Sequence, residues 1–205
     1  MDNLPQALLS VSHLRLRRGK RLLELDLSFE LMRGQALLLE GPNGCGKTTL
    51  ARALAGLLEP ASGSVRRHGA LGYCPQEPQF SLLAKPLPYL QEIASLRQPR
   101  HAAPDARTPQ AILESFGFER QQLRTPIGNL SRGWKQRLNL ARAWLGSPDI
   151  VLLDEPHTAL DPIGLNCLKQ ALNAENAPTA LFLAPPESPC LPLAAWVQQI
   201  GSSPS

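Results

Sequence analysis

A glycine-rich loop between two regular elements constrains this chain more than any other feature. Residues 41–48 read GPNGCGKT and fit the pattern G-x-x-x-x-G-K-[ST]. The apolar run QALLLE before the loop is typical of a buried strand, and KTTLARALAGLL, which begins within it, has helical spacing. Strand and helix patterns alternate elsewhere as well, so the sequence predicts a layered α/β fold.

The chemistry of this loop indicates an anion site. Its glycines allow the backbone to curl so that successive N–H groups face inward, and the helix N-terminus adds partial positive charge. The lysine is then within reach of β- and γ-phosphates, and the following hydroxyl is a ligand for Mg²⁺. We therefore predict that a triphosphate binds to the loop and the residue after it: Gly41, Pro42, Asn43, Gly44, Cys45, Gly46, Lys47, Thr48 and Thr49.

Two adjacent carboxylates follow a second buried strand, IVLLDE. A strand that ends in two acids places the first near the metal ion and leaves the second to polarise an attacking water. We predict that Asp154 is a metal ligand together with Thr48, and that Glu155 is the catalytic base.

Short strand and helix patterns cover most of the chain. Strands are predicted within residues 8–17, 21–31, 35–41, 70–76, 149–156 and 179–184, the last of these being the final strand. Helices are predicted for residues 47–58, 109–116, 131–145 and 165–173. Seven of the twenty prolines lie between residues 75 and 109, which indicates an irregular insertion without a long helix.

The length of the chain favours one domain. With 205 residues and 43% hydrophobic content, it can bury a single substantial core. We expect residues 1–76 and 146–205 to form a catalytic core and residues 77–145 to form a helical lobe inserted into it.

Composition excludes several other classes. The net charge of +4 is modest and its basic residues occur in short groups, so no nucleic-acid partner is expected. The four cysteines form no CxxC pair, which argues against a zinc site or a disulfide framework. We find no signal peptide and no apolar run of membrane-spanning length, so any membrane role is expected to come through a partner.

Between the glycine loop and the carboxylates stands NLSRGWKQRLNLARAWL, residues 129–145, which resembles the LSGGQxQR signature of ATP-binding-cassette (ABC) transporter subunits. The resemblance covers nearly the whole chain, and LARAWL with the short length is similar to the small cassettes of the cytochrome c biogenesis haem-export system. It implies a P-loop NTPase of ABC type, with a mixed central sheet, N-terminal antiparallel strands and an inserted helical lobe. ATP and Mg²⁺ are the implied ligands.

The resemblance also assigns residues one by one. Ser131 and Gly133 of the signature are expected to contact the γ-phosphate bound by a facing subunit. Gln76 matches the glutamine of the Q-loop, which joins the metal site to the helical lobe, and it is therefore a further predicted catalytic residue and metal ligand. Asp161, in TALD, matches the D-loop at the subunit interface. Arg18 falls where relatives carry an aromatic residue that stacks on adenine.

The chain departs from the family pattern at three positions. Arg132 replaces the first glycine of the signature, where its charge favours a phosphate but its bulk hinders close approach. Trp134 replaces the glutamine and is either a functional change or a packing residue. The switch histidine of the family falls at Pro186 or its neighbour Pro185, and proline has no donor for a phosphate. His157 is a weak candidate to replace that histidine.

The function implied is that of an ATPase subunit. It is expected to lie at the cytoplasmic face of the inner (cell) membrane, to drive separate integral membrane permease subunits, and to form a homodimer or a heterodimer with another ATP-binding subunit. Hydrolysis is expected to be slow without the histidine. The alternative is a regulatory subunit that binds ATP and clamps its membrane partner without efficient turnover.

Overall fold

Strands and helices alternate along the computed structural model, which describes residues 6–19, 21–23, 26–96 and 107–200, with residues 18 and 21 described by their backbone alone. Two short 3₁₀ turns, Ile127–Asn129 and Leu191–Leu193, complete the structure. In chain order the elements are β1 (Leu9–Arg15), β2 (Arg17–Arg18), β3 (Arg21–Leu22), β4 (Leu27–Leu31), β5 (Ala36–Glu40), α1 (Lys47–Leu54), β6 (Ser62–Arg67), β7 (Leu71–Cys74), α2 (Pro86–Leu96), α3 (Pro109–Ser115), α4 (Arg120–Arg124), α5 (Arg132–Ala143), β8 (Ile150–Asp154), α6 (Pro162–Leu172), β9 (Thr179–Ala184) and β10 (Trp196–Gln199).

A five-stranded sheet in the order β10-β5-β9-β8-β7 positions the site. All of its pairings are parallel, so the carboxyl ends of its strands meet at one edge. Glu40 is paired with Ala184 in this register, and Asp154 is paired with Leu183. The glycine loop, the two carboxylates and the segment after β9 therefore lie side by side.

The core lies on both faces of this sheet. Every residue of β8 and β9 is buried, as expected for a parallel sheet covered on both sides. Alternate residues of β9 face opposite layers: Phe182 packs among residues of α3 and α5, whereas Leu181 and Leu183 pack among residues of α1 and the N-terminal strands.

The α/β class predicted from the sequence is confirmed. The antiparallel strands are also present, but they form separate sheets, one in the order β4-β1-β6 and one of β2 with β3. The strand β6, SGSVRR, was not predicted, because most of its side chains are exposed and it carries no apolar alternation. Its backbone pairing with β1 is what defines it.

The expectation that no long helix occurs in the proline-rich segment was wrong. The helix α2 has eleven residues and contains Pro86 and Pro88. Both prolines lie in its first turn, where the N–H groups have no intrahelical acceptor and their loss costs little. Residues 97–106 of the same segment lie outside the described residues.

The expectation that TALFLA is the final strand was also wrong. β10, with the sequence WVQQ, follows it and pairs in parallel with β5. Its side chains are largely exposed, so hydrogen bonding to β5 rather than an apolar pattern creates this strand. The helices α2 to α5 fall between β7 and β8 in the chain, and the predicted domain division at residues 77 and 145 stays a prediction.

Membrane spans were also sought among the described residues. None of the helices there combines the length and the apolar character needed to cross a bilayer.

We predict that Gly72→Ala destabilises the fold strongly. A Cβ atom at Gly72 in β7 would lie 1.9 Å from the carbonyl oxygen of Ala143, the last residue of α5. Since both partners are backbone, the variant should lose at least about 3 kcal/mol of unfolding free energy, measured by urea denaturation. Gly146→Ala is the control: φ is +77° but no atom lies within 4 Å, so its loss should be only about 1 kcal/mol. Equal losses would contradict the packing described.

Candidate active site

The glycine loop forms a backbone cradle at the sheet edge. Gly44 and Gly46 have φ values of +83° and +111°, in the left-handed region that favours glycine. The first N–H groups of a helix have no intrahelical acceptor. Gly46, the N-cap of α1, has no side chain that could accept from them. Pro42, Asn43 and Gly44 are exposed, so an anion can reach the loop from solvent.

The Lys47 side chain contacts the backbone of this loop. Its side chain is only 5% exposed, and its ammonium donates to the carbonyl oxygens of Gly41 and Pro42 at 2.9 and 3.1 Å. The Asn43 side-chain oxygen lies 3.4 Å from the same nitrogen. These neutral acceptors hold the buried positive charge in place beside the Glu155 carboxylate, and the charge suits a phosphate ligand.

A chain of polar contacts joins the loop to the carboxylates. The Thr48 hydroxyl donates to the Gln76 side-chain oxygen at 3.3 Å, and the Gln76 amide donates to Glu155 at 3.1 Å. A carboxylate oxygen of Glu155 lies 3.6 Å from the Lys47 ammonium. The predicted metal ligands and the predicted base therefore lie in one cluster. Thr49 lies half-buried in the first turn of α1, beside Thr48.

Asp154 is the least satisfied polar group of the cluster. Its side chain is fully buried, and neither oxygen has a hydrogen-bond partner of normal geometry among the described residues. Burial is the main cause that raises the pKa of this carboxyl to about 6; Glu155 adds to the rise, while Thr48 and Lys47 oppose it. A buried carboxylate beside a threonine hydroxyl fits Mg²⁺, a cation that prefers oxygen ligands.

The segment after β9 also lies at this edge. The Glu155 N–H donates to the Leu183 carbonyl at 2.8 Å, and the Gly41 N–H donates to the Ala184 carbonyl at 3.2 Å. Pro185 and Pro186 follow directly, and Pro186 is exposed. The position predicted for the switch histidine thus adjoins both the glycine loop and Glu155, the predicted base.

His157 lies against the continuation of this segment. Its Nδ1 is 3.2 Å from the Ser188 hydroxyl and 3.8 Å from the Cys190 thiol. Burial lowers the pKa of His157 and outweighs the opposing effect of Glu155, so the ring is neutral near pH 7. A neutral ring held by Ser188 supplies no positive charge to a phosphate.

The signature segment places Ser131 at the N-cap of α5. Its hydroxyl accepts from the Trp134 N–H at 3.3 Å, and the residue is exposed. A Cβ at Gly133 would lie 3.0 Å from the carbonyl oxygen of Ala159, so glycine lets α5 approach the segment after β8. No hydrogen bond within the described chain joins Ser131 to Lys47, and the predicted contact across a dimer stays a prediction.

Trp134 and Asp161 take part in packing and capping. The Trp134 ring makes an edge contact with Phe118, with centroids 5.0 Å apart, and the Arg137 guanidinium lies 4.4 Å above it. This supports the packing interpretation of Trp134. Asp161 caps α6 by accepting from the Gly164 N–H at 2.8 Å, and its bond from Arg137 is the main cause that lowers its pKa. Its predicted role at a subunit interface stays a prediction.

Sequence reasoning missed three polar side chains on the inner face of α5. Gln136, Asn139 and Arg142 recur every third residue of α5, and this spacing is the signal that was available. Arg18 aligns with the aromatic position of relatives and is interpreted as a surface arginine, although its guanidinium could stack on adenine; its side chain lies outside the described part of the chain.

The parallel sheet, the glycine loop and the Lys47–Glu155–Asp154 cluster define a phosphate-loop nucleotide hydrolase. Comparison with known proteins narrows this class. The sequence pattern of the ABC transporter family matches residues 25–158.

Curated relatives agree with this match. The cytochrome c biogenesis ATP-binding export protein CcmA of Xylella fastidiosa is 34% identical over 87% of this chain and 86% of its own length. CcmA of Pseudomonas syringae is 36% identical, over 80% of each chain. Human ATP-binding cassette sub-family A member 6 is 34% identical over 77% of this chain, which spans only 10% of that protein.

Solved structures share the fold. An ATP-binding protein of a putative ABC transporter from Pyrococcus furiosus superposes with a TM-score of 0.78, over 94% of this chain and 96% of that one, at 22% identity. A dimeric bacterial ABC transporter cassette superposes with a TM-score of 0.73, over 86% and 87%, at 20% identity.

The chain therefore belongs to the ABC transporter family, as an ATP-binding cassette whose ATP hydrolysis is coupled to transport. The similarity to the cytochrome c biogenesis cassettes, expected from the sequence, is confirmed.

We predict that Asp154→Asn stabilises the nucleotide-free protein above pH 6. Because the folded-state pKa is raised from 3.8 to about 6, native Asp154 contributes most stability when protonated and loses it as pH rises through this range. A neutral amide avoids the penalty, so the variant should gain roughly 2 to 3 kcal/mol at pH 8 and little at pH 4, measured by urea denaturation without Mg²⁺.

Asp149→Asn is the matched control, for which the expected change in stability has the opposite sign. Burial raises the pKa of Asp149, but the Ala70 N–H and the Arg33 guanidinium together outweigh it and lower the pKa. Its replacement should therefore destabilise the protein at neutral pH and have less effect as pH falls. A stability difference for Asp154→Asn that does not change with pH would refute the burial argument.

Proposed function

We propose that this chain is a peripheral ATP-binding subunit at the cytoplasmic face of the cell membrane, where it binds Mg-ATP and drives separate integral membrane permease subunits. The observation that carries the proposal is the buried Asp154 carboxylate, which has no hydrogen-bond partner of normal geometry among the described residues, at the same sheet edge as the buried Lys47. Such a pair is costly in an empty site and becomes favourable when a metal ion and phosphates bind.

The residues divide the chemistry among them. The loop N–H groups that follow Pro42 surround the phosphates, and the Lys47 ammonium exchanges its carbonyl partners for phosphate oxygens. Thr48, Gln76 and Asp154 would hold Mg²⁺, which would neutralise phosphate charge. Glu155 accepts a proton from the attacking water as the water oxygen bonds to the γ-phosphorus. The bond from that phosphorus to the bridging oxygen breaks, and ADP leaves with the electron pair.

A second cassette completes the site in this proposal. Ser131 is exposed at a helix N-terminus, where its hydroxyl and the neighbouring N–H groups suit an anion from outside the chain. Gly133 and Asp161 face the same subunit as Ser131 in this proposal. That subunit is either a second copy or another ATP-binding subunit. One solved structure with this fold is itself a dimer of cassettes.

Slow turnover follows from the prolines after β9. Pro186 lies at the edge where a histidine would reach the γ-phosphate, and loss of one preorganised donor costs roughly 3 to 4 kcal/mol of transition-state stabilisation. Neutral His157, which is bonded to Ser188, does not supply a replacement charge. The second candidate function is therefore a regulatory subunit that binds ATP and clamps its membrane partner.

We predict that Glu155→Gln lowers ATP turnover by at least about a hundredfold while ATP still binds, because the amide cannot accept the proton. Phosphate release and ATP affinity should be measured on the full chain purified with its membrane partner. Glu187→Gln, an exposed acid of the neighbouring segment, is the control and should stay within about twofold of native. Tight ATP binding with no Glu155-dependent release of phosphate would favour the regulatory alternative.

We predict that Pro186→His raises turnover by roughly ten- to a hundredfold, because it restores a donor beside the γ-phosphate. The same assay applies, and Pro189→His, at an exposed position three residues further on, is the control. An unchanged rate in Pro186→His, with native turnover already dependent on Glu155, would show that the histidine is dispensable in this chain.

A further inference from the structure

Two buried amide side chains on α5 contact the peptides beside the catalytic residues. Asn139 is fully buried, and Gln136 is only 5% exposed. Since they lie three residues apart, they share one face of the helix. A buried amide is costly unless its hydrogen bonds are made, so the partners of these two side chains indicate what they do.

Each amide donates to the carbonyl of a proline. The Asn139 amide nitrogen donates to the Pro75 carbonyl at 2.7 Å, and the Gln136 amide nitrogen donates to the Pro156 carbonyl at 3.0 Å. The Asn139 nitrogen also lies 3.3 Å from the Gln136 side-chain oxygen, which joins the two. We call Gln136 and Asn139 the amide pair.

Arg142 fixes the orientation of the amide pair. Its guanidinium donates to the Asn139 side-chain oxygen at 2.9 Å. Because a guanidinium only donates, the oxygen of Asn139 must face Arg142 and the nitrogen must face Pro75. Arg142 also donates to the Tyr89 hydroxyl at 3.2 Å, which connects the amide pair to α2.

The two prolines flank the catalytic residues. Pro75 immediately precedes Gln76, and Pro156 immediately follows Glu155. Gln76 and Glu155 are themselves hydrogen-bonded at 3.1 Å. The contacts thus close a ring that runs from α5 through Pro75, Gln76, Glu155 and Pro156 and back to α5.

We propose that Asn139 and Gln136 are positioning residues. They hold Gln76 and Glu155 at a fixed position relative to α5, the helix that carries Ser131 at its N-terminus. They touch neither the glycine loop nor Lys47 in the described contacts, so their effect passes through the two proline peptides. This inference rests on the proposed function, because it takes Gln76 and Glu155 as the residues that act in hydrolysis.

Two substitutions at Asn139 separate the loss of its hydrogen bond to the Pro75 carbonyl from a change in the shape of its side chain. Asn139→Leu removes the donor at similar volume, and Asn139→Asp keeps the shape and the Arg142 contact but turns an acceptor toward the Pro75 carbonyl. Thr179→Val is the matched control. Thr179 is also buried, and its hydroxyl bonds Gly34 and Met32, but it lies at the opposite end of β9.

The first measurement is ATP turnover by the full chain purified with its membrane partner. Both Asn139 variants should lower kcat about tenfold and change ATP affinity less than about twofold, whereas Thr179→Val should lower the unfolding temperature but leave kcat within about twofold of native. In a Gln76→Ala background, the effect of Asn139→Leu on kcat should fall below about twofold, because the positioned group is gone. An unchanged kcat in folded Asn139 variants, or full additivity with Gln76→Ala, would overturn the proposal.

The second measurement does not need turnover. Hydrogen exchange of the nucleotide-free chain should be faster in Asn139→Leu at the N–H groups of Gln76, Glu77 and Gln79 and of residues 157–158. It should match the native chain at both segments in Thr179→Val. Absence of Glu155-dependent turnover in the native protein would contradict the proposed function. The hydrogen-exchange rates would still test whether Asn139 positions these two segments. Native exchange at both segments in Asn139→Leu would refute it.

Discussion

The structure depends on one electrostatic constraint: the Lys47 ammonium and the Asp154 carboxylate are both buried at the same sheet edge, where Lys47 forms its ion pair with the neighbouring Glu155. Lys47 is held by backbone carbonyls, and Asp154 has no hydrogen-bond partner of normal geometry among the described residues. The parallel register of β5, β9 and β8 brings these groups together. The cost of this arrangement is recovered when oppositely charged ligands bind, which explains why an α/β fold keeps such groups buried.

The segment after β9 shows how the same edge constrains the chemistry. The carbonyl groups of Leu183 and Ala184 accept hydrogen bonds from Glu155 and Gly41, so the residues that follow stay close to the glycine loop. Proline there removes a donor without disturbing the sheet, because β9 ends at Ala184 before the prolines begin. The fold and the binding groups are therefore kept, while a group that would assist hydrolysis is lost.

Local patterns in the sequence accounted for the glycine loop, the buried strands and several helices. The helices predicted for residues 109–116 and 131–145 correspond to α3 and α5, whose N-caps are Thr108 and Ser131. Elements defined by backbone pairing alone were missed, since β6 and β10 expose most of their side chains. The amide pair was missed for another reason: Asn139 and Gln136 become meaningful only when the fold brings Pro75 and Pro156 against α5.

The central claim is that a triphosphate replaces the carbonyl partners of Lys47 and is closed off by a second cassette. The most direct measurement is a crystal structure or cryo-EM map of the protein with Mg-ATP. We expect the γ-phosphate to contact Lys47 and the metal ion to contact Asp154 and Thr48. Ser131 of the facing cassette should lie opposite them. A nucleotide bound away from residues 41–48, or a Ser131 that faces no nucleotide, would contradict it.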